Sequence, residues 1–140
     1  PMVAKVVRPD QAEDESALRG LRREVEALDA LAHPVILRGF DAVLDPPHPH
    51  VLVEHLEGPT LRRLIRRSGA LPAGEVARLG AQLAAALHYM AGEGWVHLDL
   101  KPDNVIMGAS PRVIDLSLAR LVVTLASMGV LLYGLVWDAQ

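Results

Sequence analysis

Apolar and polar positions alternate between two periods along the first ninety residues, and each change of period marks an element. Val3, Ala4, Lys5, Val6 and Val7 form a β-branched run closed by Arg8-Pro9-Asp10, which predicts a short buried strand ending at the proline. Acidic residues at 13, 14 and 15 precede Leu18, Leu21, Val25 and Leu28, spaced three and four apart, so a helix is predicted with its acids at the N-terminus and its stop at Ala32-His33-Pro34. At 100° per residue Glu24 falls about 40° from Leu28, at the flank of the apolar stripe, whereas Glu26 points away. Residues 36–44 and 51–56 read as two extended runs of a hairpin joined by Asp45-Pro46-Pro47-His48-Pro49-His50. A short helix capped by Thr60 and stopped by Gly69 follows. A longer one runs from about Pro72 to Gly92 with Val76, Leu79, Leu83, Leu87 and Met90 on one face.

Periodicity then fails. Trp95 to Asp103 has neither a helical nor a strand repeat, and two tiny strands are predicted around the turn at 108–111. From Leu121 to Trp137 the chain has 17 residues without a charge, diluted by Thr124, Ser127, Gly129 and Gly134, and a buried core helix is expected there rather than a bilayer span of about 20 residues.

Composition narrows the chemistry. The 140 residues carry a net charge of −3 and no cysteine, which excludes disulfides, thiolate metal sites and cysteine nucleophiles. The only dense basic group is Arg62, Arg63, Arg66 and Arg67, read as a solvated helix face, so no nucleic-acid partner is expected. His48 and His50 are spaced as metal ligands could be, but no third ligand is near them in sequence. The N-terminus has no basic segment followed by a long apolar one, so a cytoplasmic location is expected.

Polar chemistry concentrates in two loops. One is His97-Leu98-Asp99-Leu100-Lys101-Pro102-Asp103-Asn104; the other, eleven residues on, is Asp115-Leu116-Ser117, directly after Val113-Ile114. A carboxylate, an ammonium and an amide within six residues, followed by a carboxylate at a strand end, can hold a metal and a phosphate together. Lys101, one of only two lysines in the chain, and its only asparagine, Asn104, fall in the first of these loops, against twelve arginines elsewhere.

These motifs resemble the catalytic domain of protein kinases of the bacterial serine/threonine type. His97, Asp99, Lys101 and Asn104 match H-x-D-x-K-x-x-N, Val3-Ala4-Lys5 resembles the V-A-x-K strand, and Glu24 stands at the partner glutamate of the family's C helix. The resemblance implies an α+β, bilobal protein-kinase-like fold, incomplete here: a small antiparallel sheet and C helix in the N-lobe, and a mainly helical C-lobe. It divides the chain into residues 1–56 (partial N-lobe and hinge), 57–120 (partial C-lobe with catalytic and metal-binding loops) and 121–140 (an apolar segment like the family's F helix). It also implies that Mg²⁺ and ATP are the cofactors and that a protein hydroxyl accepts the γ-phosphate.

By the same resemblance Lys5, oriented by Glu24, contacts the α and β phosphates; Asn104 and Asp115 ligate Mg²⁺; Lys101 neutralises the γ-phosphate; and Asp99 orients the attacking hydroxyl. His97 is implied to be structural. Val53 is the implied gatekeeper, with the main chain of Glu54 and Leu56 facing adenine. Leu98 replaces the arginine that in many members binds a phosphorylated activation loop, and Ser117 replaces the glycine of D-F-G, which should make that loop less free to flip.

The family's glycine-rich loop and activation segment have no counterpart among these residues, and a junction is expected at Arg120 to Leu121. An exposed F-like helix would favour self-association. A nucleotide-binding pseudokinase is the alternative from a different class. A small-molecule phosphotransferase is a third reading, against which Lys101 and the Leu56-Glu57-Gly58 hinge speak, and a small membrane-anchored protein is a remote fourth.

Overall fold

The computed structural model describes residues 1–122. Its strands β1 (Met2–Val6), β2 (Gly39–Val43) and β3 (His50–Glu54) form one antiparallel sheet in the order β1-β3-β2. Helix α1 (Glu15–Ala30) lies between β1 and β2 in sequence and packs on the sheet. Helices α2 (Leu61–Ser68) and α3 (Ala73–Gly92) follow, and then two small ladders: β4 (Trp95–Val96) with β7 (Arg120–Leu121), and β5 (Val105–Met107) with β6 (Pro111–Val113). This is the incomplete α+β arrangement that the resemblance implies.

Capping chemistry sets the helix starts. The Asp14 carboxylate accepts hydrogen bonds from the N–H groups of Ser16 and Ala17, and Glu15 adds negative charge to the first turn of α1. The Thr60 hydroxyl accepts from Arg63 N, and Gly69, at φ 81°, ends α2. The predicted stripe of α1 is inward, with Leu21 and Leu28 buried, Glu24 buried between them, and Glu26 exposed.

Three expectations need correction. Strand β1 is not buried: all five of its residues are exposed, because it is an edge strand whose only described neighbour is β3. β-Branched residues suit an edge strand as well as a central one, so composition did not separate the two. Residues 36 and 37 do not belong to the hairpin, whereas Arg38 O still accepts from Glu54 N of β3. Leu37 N donates to Val113 O, and Val113 N donates to Val35 O, so this segment gives its backbone to β6 and joins the sheet-bearing half to the helical half. Val76 is exposed, since α3 is covered from Leu79 onward and Ala86 takes a buried place beside Met90.

The main core cluster draws Leu21 and Leu28 from α1, Val51 and Val53 from β3, Ala86 and Met90 from α3, and Trp95, Val113 and Leu116 from the later segments. A second cluster, Leu61, Leu79 and Val105, seats α2. Tyr89 on α3 accepts a hydrogen bond from Ala32 N at 2.9 Å, fixing the loop after α1 to the helical half. The ladder of β7 comprises Arg120 and Leu121, the two residues between which the junction is expected, and Val122 N donates to Gly94 O. The F-helix reading and its self-association fall almost wholly outside the described residues. Among the described residues no helix is long and apolar enough to cross a membrane.

Gly58 has φ 118°, and a Cβ there would overlap the carbonyl oxygen of Met107, whereas a Cβ on Gly80 of α3 meets nothing. Gly58→Ala should therefore destabilise the fold by roughly 1–3 kcal/mol, and Gly80→Ala should stabilise it by about 0.5–1 kcal/mol. Urea unfolding of both variants, read against the unsubstituted chain, checks the pair.

Candidate active site

The pairing register puts Lys5 opposite Val51 and Val3 opposite Val53. Alternate residues of a strand share a face, so Lys5, Val51 and Val53 face the same side, toward α1, and Leu52 and Glu54 face the other. From that inner face the Lys5 ammonium reaches Glu24 Oε2 at 2.6 Å and Asp115 Oδ1 at 3.3 Å. Val3-Ala4-Lys5 has one residue fewer than V-A-x-K, so the match rests on this contact of the lysine and not on the residues before it.

Glu24 is only 1% exposed, and its Oε1 has no hydrogen-bond partner. Burial pushes its carboxyl pKa up, further than Lys5 pulls it down. For Lys5 burial acts downward, but Glu24 and then Asp115 outweigh it, and its pKa rises. Burial acts upward on Asp115, and hydrogen bonding from Ser117 together with the charge of Lys5 outweighs it, so this carboxyl stays below its ordinary range. Ser117 N also donates to Asp115 Oδ1. This bond comes from the main chain at residue 117, so it holds the carboxylate whichever side chain stands there.

The second group lies on the loop between β4 and β5. Lys101 Nζ donates to Asp99 Oδ2 at 2.7 Å, and Asn104 Nδ2 donates to both Asp99 O and Asp99 Oδ2 at 3.0 Å. The lysine hydrogen bond, ahead of the other influences, holds the Asp99 carboxyl below its usual range, and Asp99 in turn raises Lys101. Because Asn104 turns its amide nitrogen to Asp99, its side-chain oxygen is left as the acceptor end. A carboxylate from Asp115 and an amide oxygen from Asn104 are hard donors that suit Mg²⁺, an ion that keeps waters and substrate phosphates as its remaining ligands. Among the described residues no group of three or more His, Asp or Glu forms a metal cage, and the His50 ring bonds the His48 carbonyl.

Two contacts join the loops. Ile114 N donates to Asn104 O at 2.9 Å, and His97 Nε2 lies 3.3 Å from Ile114 O. The other ring nitrogen of His97 accepts from Asp99 N, which assigns a neutral imidazole with its proton on Nε2. Burial lowers the pKa of this histidine in the same direction. His97 is thus a bracket between the two loops. Strain collects beside it: Leu98 (φ 64°) and Asp115 (φ 60°) are the two described non-glycine residues with positive φ. Both flank the polar groups, as strained residues at working sites do. Ser117 does not need glycine's freedom in this arrangement.

The hinge residues are placed less directly. Val53 is buried in β3, and Leu56 packs against the main core. The Glu54 side chain faces the opposite side of the sheet, where it accepts from Arg38 N at 3.0 Å and Arg112 Nε at 3.3 Å, and Glu54 N donates to Arg38 O. A cavity of about 400 Å³ beside Lys5 is lined by Glu24, Asp115 and Ser117 but not by Val53 or Leu56, and Glu54 lines a separate cavity with Arg112.

A family model described as the protein kinase domain matches residues 1–138. The chain belongs to the protein kinase family. It is 31% identical over 125 residues to the serine/threonine-protein kinase PknB of Mycobacterium leprae, covering 85% of this chain and 20% of that protein. Over 123 residues it is 34% identical to the probable serine/threonine-protein kinase PkwA of Thermomonospora curvata, covering 86% and 16%. Serine/threonine-protein kinase 36 of Pongo abelii is 31% identical over 121 residues, covering 85% and 9%. The chain thus spans a fifth or less of the length of these kinases.

Burial of neutral His97 makes stability depend on pH. Its folded pKa lies below the ordinary 6.5, so the unfolded chain takes up the proton first as pH falls. Stability should be full above about pH 6.5 and decline as pH drops from there toward the folded pKa. In His97→Gln that part of the slope should vanish, as measured by urea midpoints between pH 5 and 8.

Proposed function

We propose that this chain carries the phosphotransfer site of a serine/threonine protein kinase, which moves the γ-phosphate of ATP to a hydroxyl of a protein substrate. The observation that carries this reading is the meeting of Lys5 with both Glu24 and Asp115. These residues lie 19 and 110 positions away from the lysine, and they meet beside a loop in which Asp99, Lys101 and Asn104 already hold one another.

Mg²⁺·ATP, when bound, supplies the phosphoryl group and the cation that screens its charge. Lys5 is held pointing into the site by two carboxylates, and its raised pKa keeps it an ammonium ready to contact phosphate oxygens. Asn104 and Asp115 are the residues that would hold Mg²⁺. Asp99, kept ionised by Lys101 and Asn104, can accept a hydrogen bond from the substrate hydroxyl and orient its oxygen. Lowering the pKa of a carboxylate makes it a weaker base, which suits a transition state that needs positioning and charge stabilisation more than proton abstraction. Lys101 stands beside Asp99 as the counter-charge to the transferred group. Val53 is proposed as gatekeeper, with the main chain of Glu54 and Leu56 toward adenine. The protein acceptor and the choice of serine or threonine are carried over from the relatives' names and belong to this proposal.

Asp115→Ala should remove Mg²⁺-dependent nucleotide binding, and Asp99→Ala should leave that binding within about threefold while lowering transfer by 10²-fold or more, as removal of one positioned group typically does. Calorimetry with ATP and Mg²⁺ and incorporation of labelled phosphate into a serine peptide check the two arms. Nucleotide binding without transfer in the unsubstituted chain would select the non-catalytic alternative, and equal transfer by both variants would refute the assignment.

A further inference from the structure

Helix α2 carries one third of the chain's arginines in six positions, on a protein whose net charge is −3. Arg62 and Arg66, and likewise Arg63 and Arg67, are four apart, so like charges stack on neighbouring turns and work against the helix. Placing Arg66 and Arg67 in the last turn favours the helix dipole, but Arg62 and Arg63 in the first turn oppose it. Helix stability alone therefore does not account for the set. The structure shows what the four have in common: with Thr60 and Asp103 they line one open concavity of about 470 Å³.

This concavity adjoins the candidate active site. Arg62 Nε donates to Asp103 Oδ2 at 2.7 Å, and Asp103 sits in the turn Pro102–Asn104, between Lys101 and Asn104, both of which bond Asp99. Among the described residues no carboxylate pairs with Arg63, Arg66 or Arg67, and all three are exposed. Asp103 thus shows the chemistry the concavity accepts, a carboxylate on a guanidinium, and three further guanidinium groups extend it away from Asp99.

We propose that the concavity binds an acidic segment of the protein substrate, so that the enzyme selects hydroxyls flanked by aspartate or glutamate. Arg63, Arg66 and Arg67 contact the carboxylates, and Arg62, held by Asp103, fixes the arginine helix against the catalytic loop. Planar guanidinium groups suit carboxylates in two-point contacts. A peptide fits better than a nucleic acid because the patch is small and the rest of the chain is acidic, which repels a long polyanion. The proposal rests on the kinase reading for its consequence in catalysis, but not for binding.

The test is fluorescence anisotropy of the full chain, without nucleotide, with three labelled serine peptides flanked by aspartates, by alanines or by lysines. The aspartate peptide is expected to bind at least tenfold more tightly than the alanine peptide, and to weaken steeply as salt rises. Arg66→Glu/Arg67→Glu should abolish the difference, and the milder Arg63→Gln/Arg66→Gln/Arg67→Gln should reduce it severalfold; circular dichroism of both variants checks that α2 remains. Equal binding of the aspartate and alanine peptides, or a preference unchanged in folded variants, would overturn the proposal. So would a single-stranded oligonucleotide that competes as well as the aspartate peptide. Phosphate incorporation into the same peptides separates the two readings. No transfer to any peptide counts against the kinase assignment while leaving the binding result intact, and transfer without preference for aspartate counts against the acidic subsite alone.

Discussion

A carboxylate sealed into an apolar core must find a cation or give up its charge, and Glu24 is sealed almost completely. The helix that carries it is set by its caps and its apolar stripe, so the carboxylate arrives at a fixed place. The cation has to come from elsewhere. It comes from β1, an edge strand with little packing of its own, whose lysine is drawn inward to the glutamate and lies beside Asp115 as well. Sheet, helix and the loop of Asp115 are tied together at that ammonium. Were Lys5 on the other face of its strand, one residue away, Glu24 would be an orphan and Asp115 would lose its positive neighbour.

The remaining polar groups follow the same logic at lower cost. Asp99 is partly open to solvent and is satisfied by neighbours from its own loop, Lys101 and Asn104, with no contribution from the core. His97 converts that local arrangement into a relation between loops, since one ring nitrogen serves the Asp99 amide and the other the Ile114 carbonyl. A neutral imidazole is the group that can do this, one face accepting and the other donating.

Much of this was legible from residue order, for identifiable reasons. The helices announced themselves through Asp14, Thr60 and Gly69, which act on groups a few residues away, and through apolar spacing that needs no partner to be seen. The loop of Asp99 was legible because its three interacting residues lie within six positions. What lay beyond reach depends on contacts distant in sequence or too short to have a period. The exposure of β1 depends on which strands flank it, the two-residue ladder of β4 and β7 cannot show alternation, and the capture of residues 35–37 by Val113 competes with a hairpin that looked equally good locally. The Arg62 to Asp103 contact spans 41 positions, and without it the arginines read as nothing more than a solvated face.

The short ladder between β4 and β7 has a consequence for how the molecule opens. It closes the chain into a ring that begins before His97 and ends after Ala119, so every polar group of the two loops lies inside one stapled segment. Inside the ring, β5 and β6 make a second staple. Opening of β4 and β7 would therefore loosen both loops at their outer ends, while β5, β6 and the bonds of Val113 to residues 35 and 37 still hold the middle. The loop of Asp99 and the loop of Asp115 thus share one gate, a pair of residues at each end of the segment that holds them.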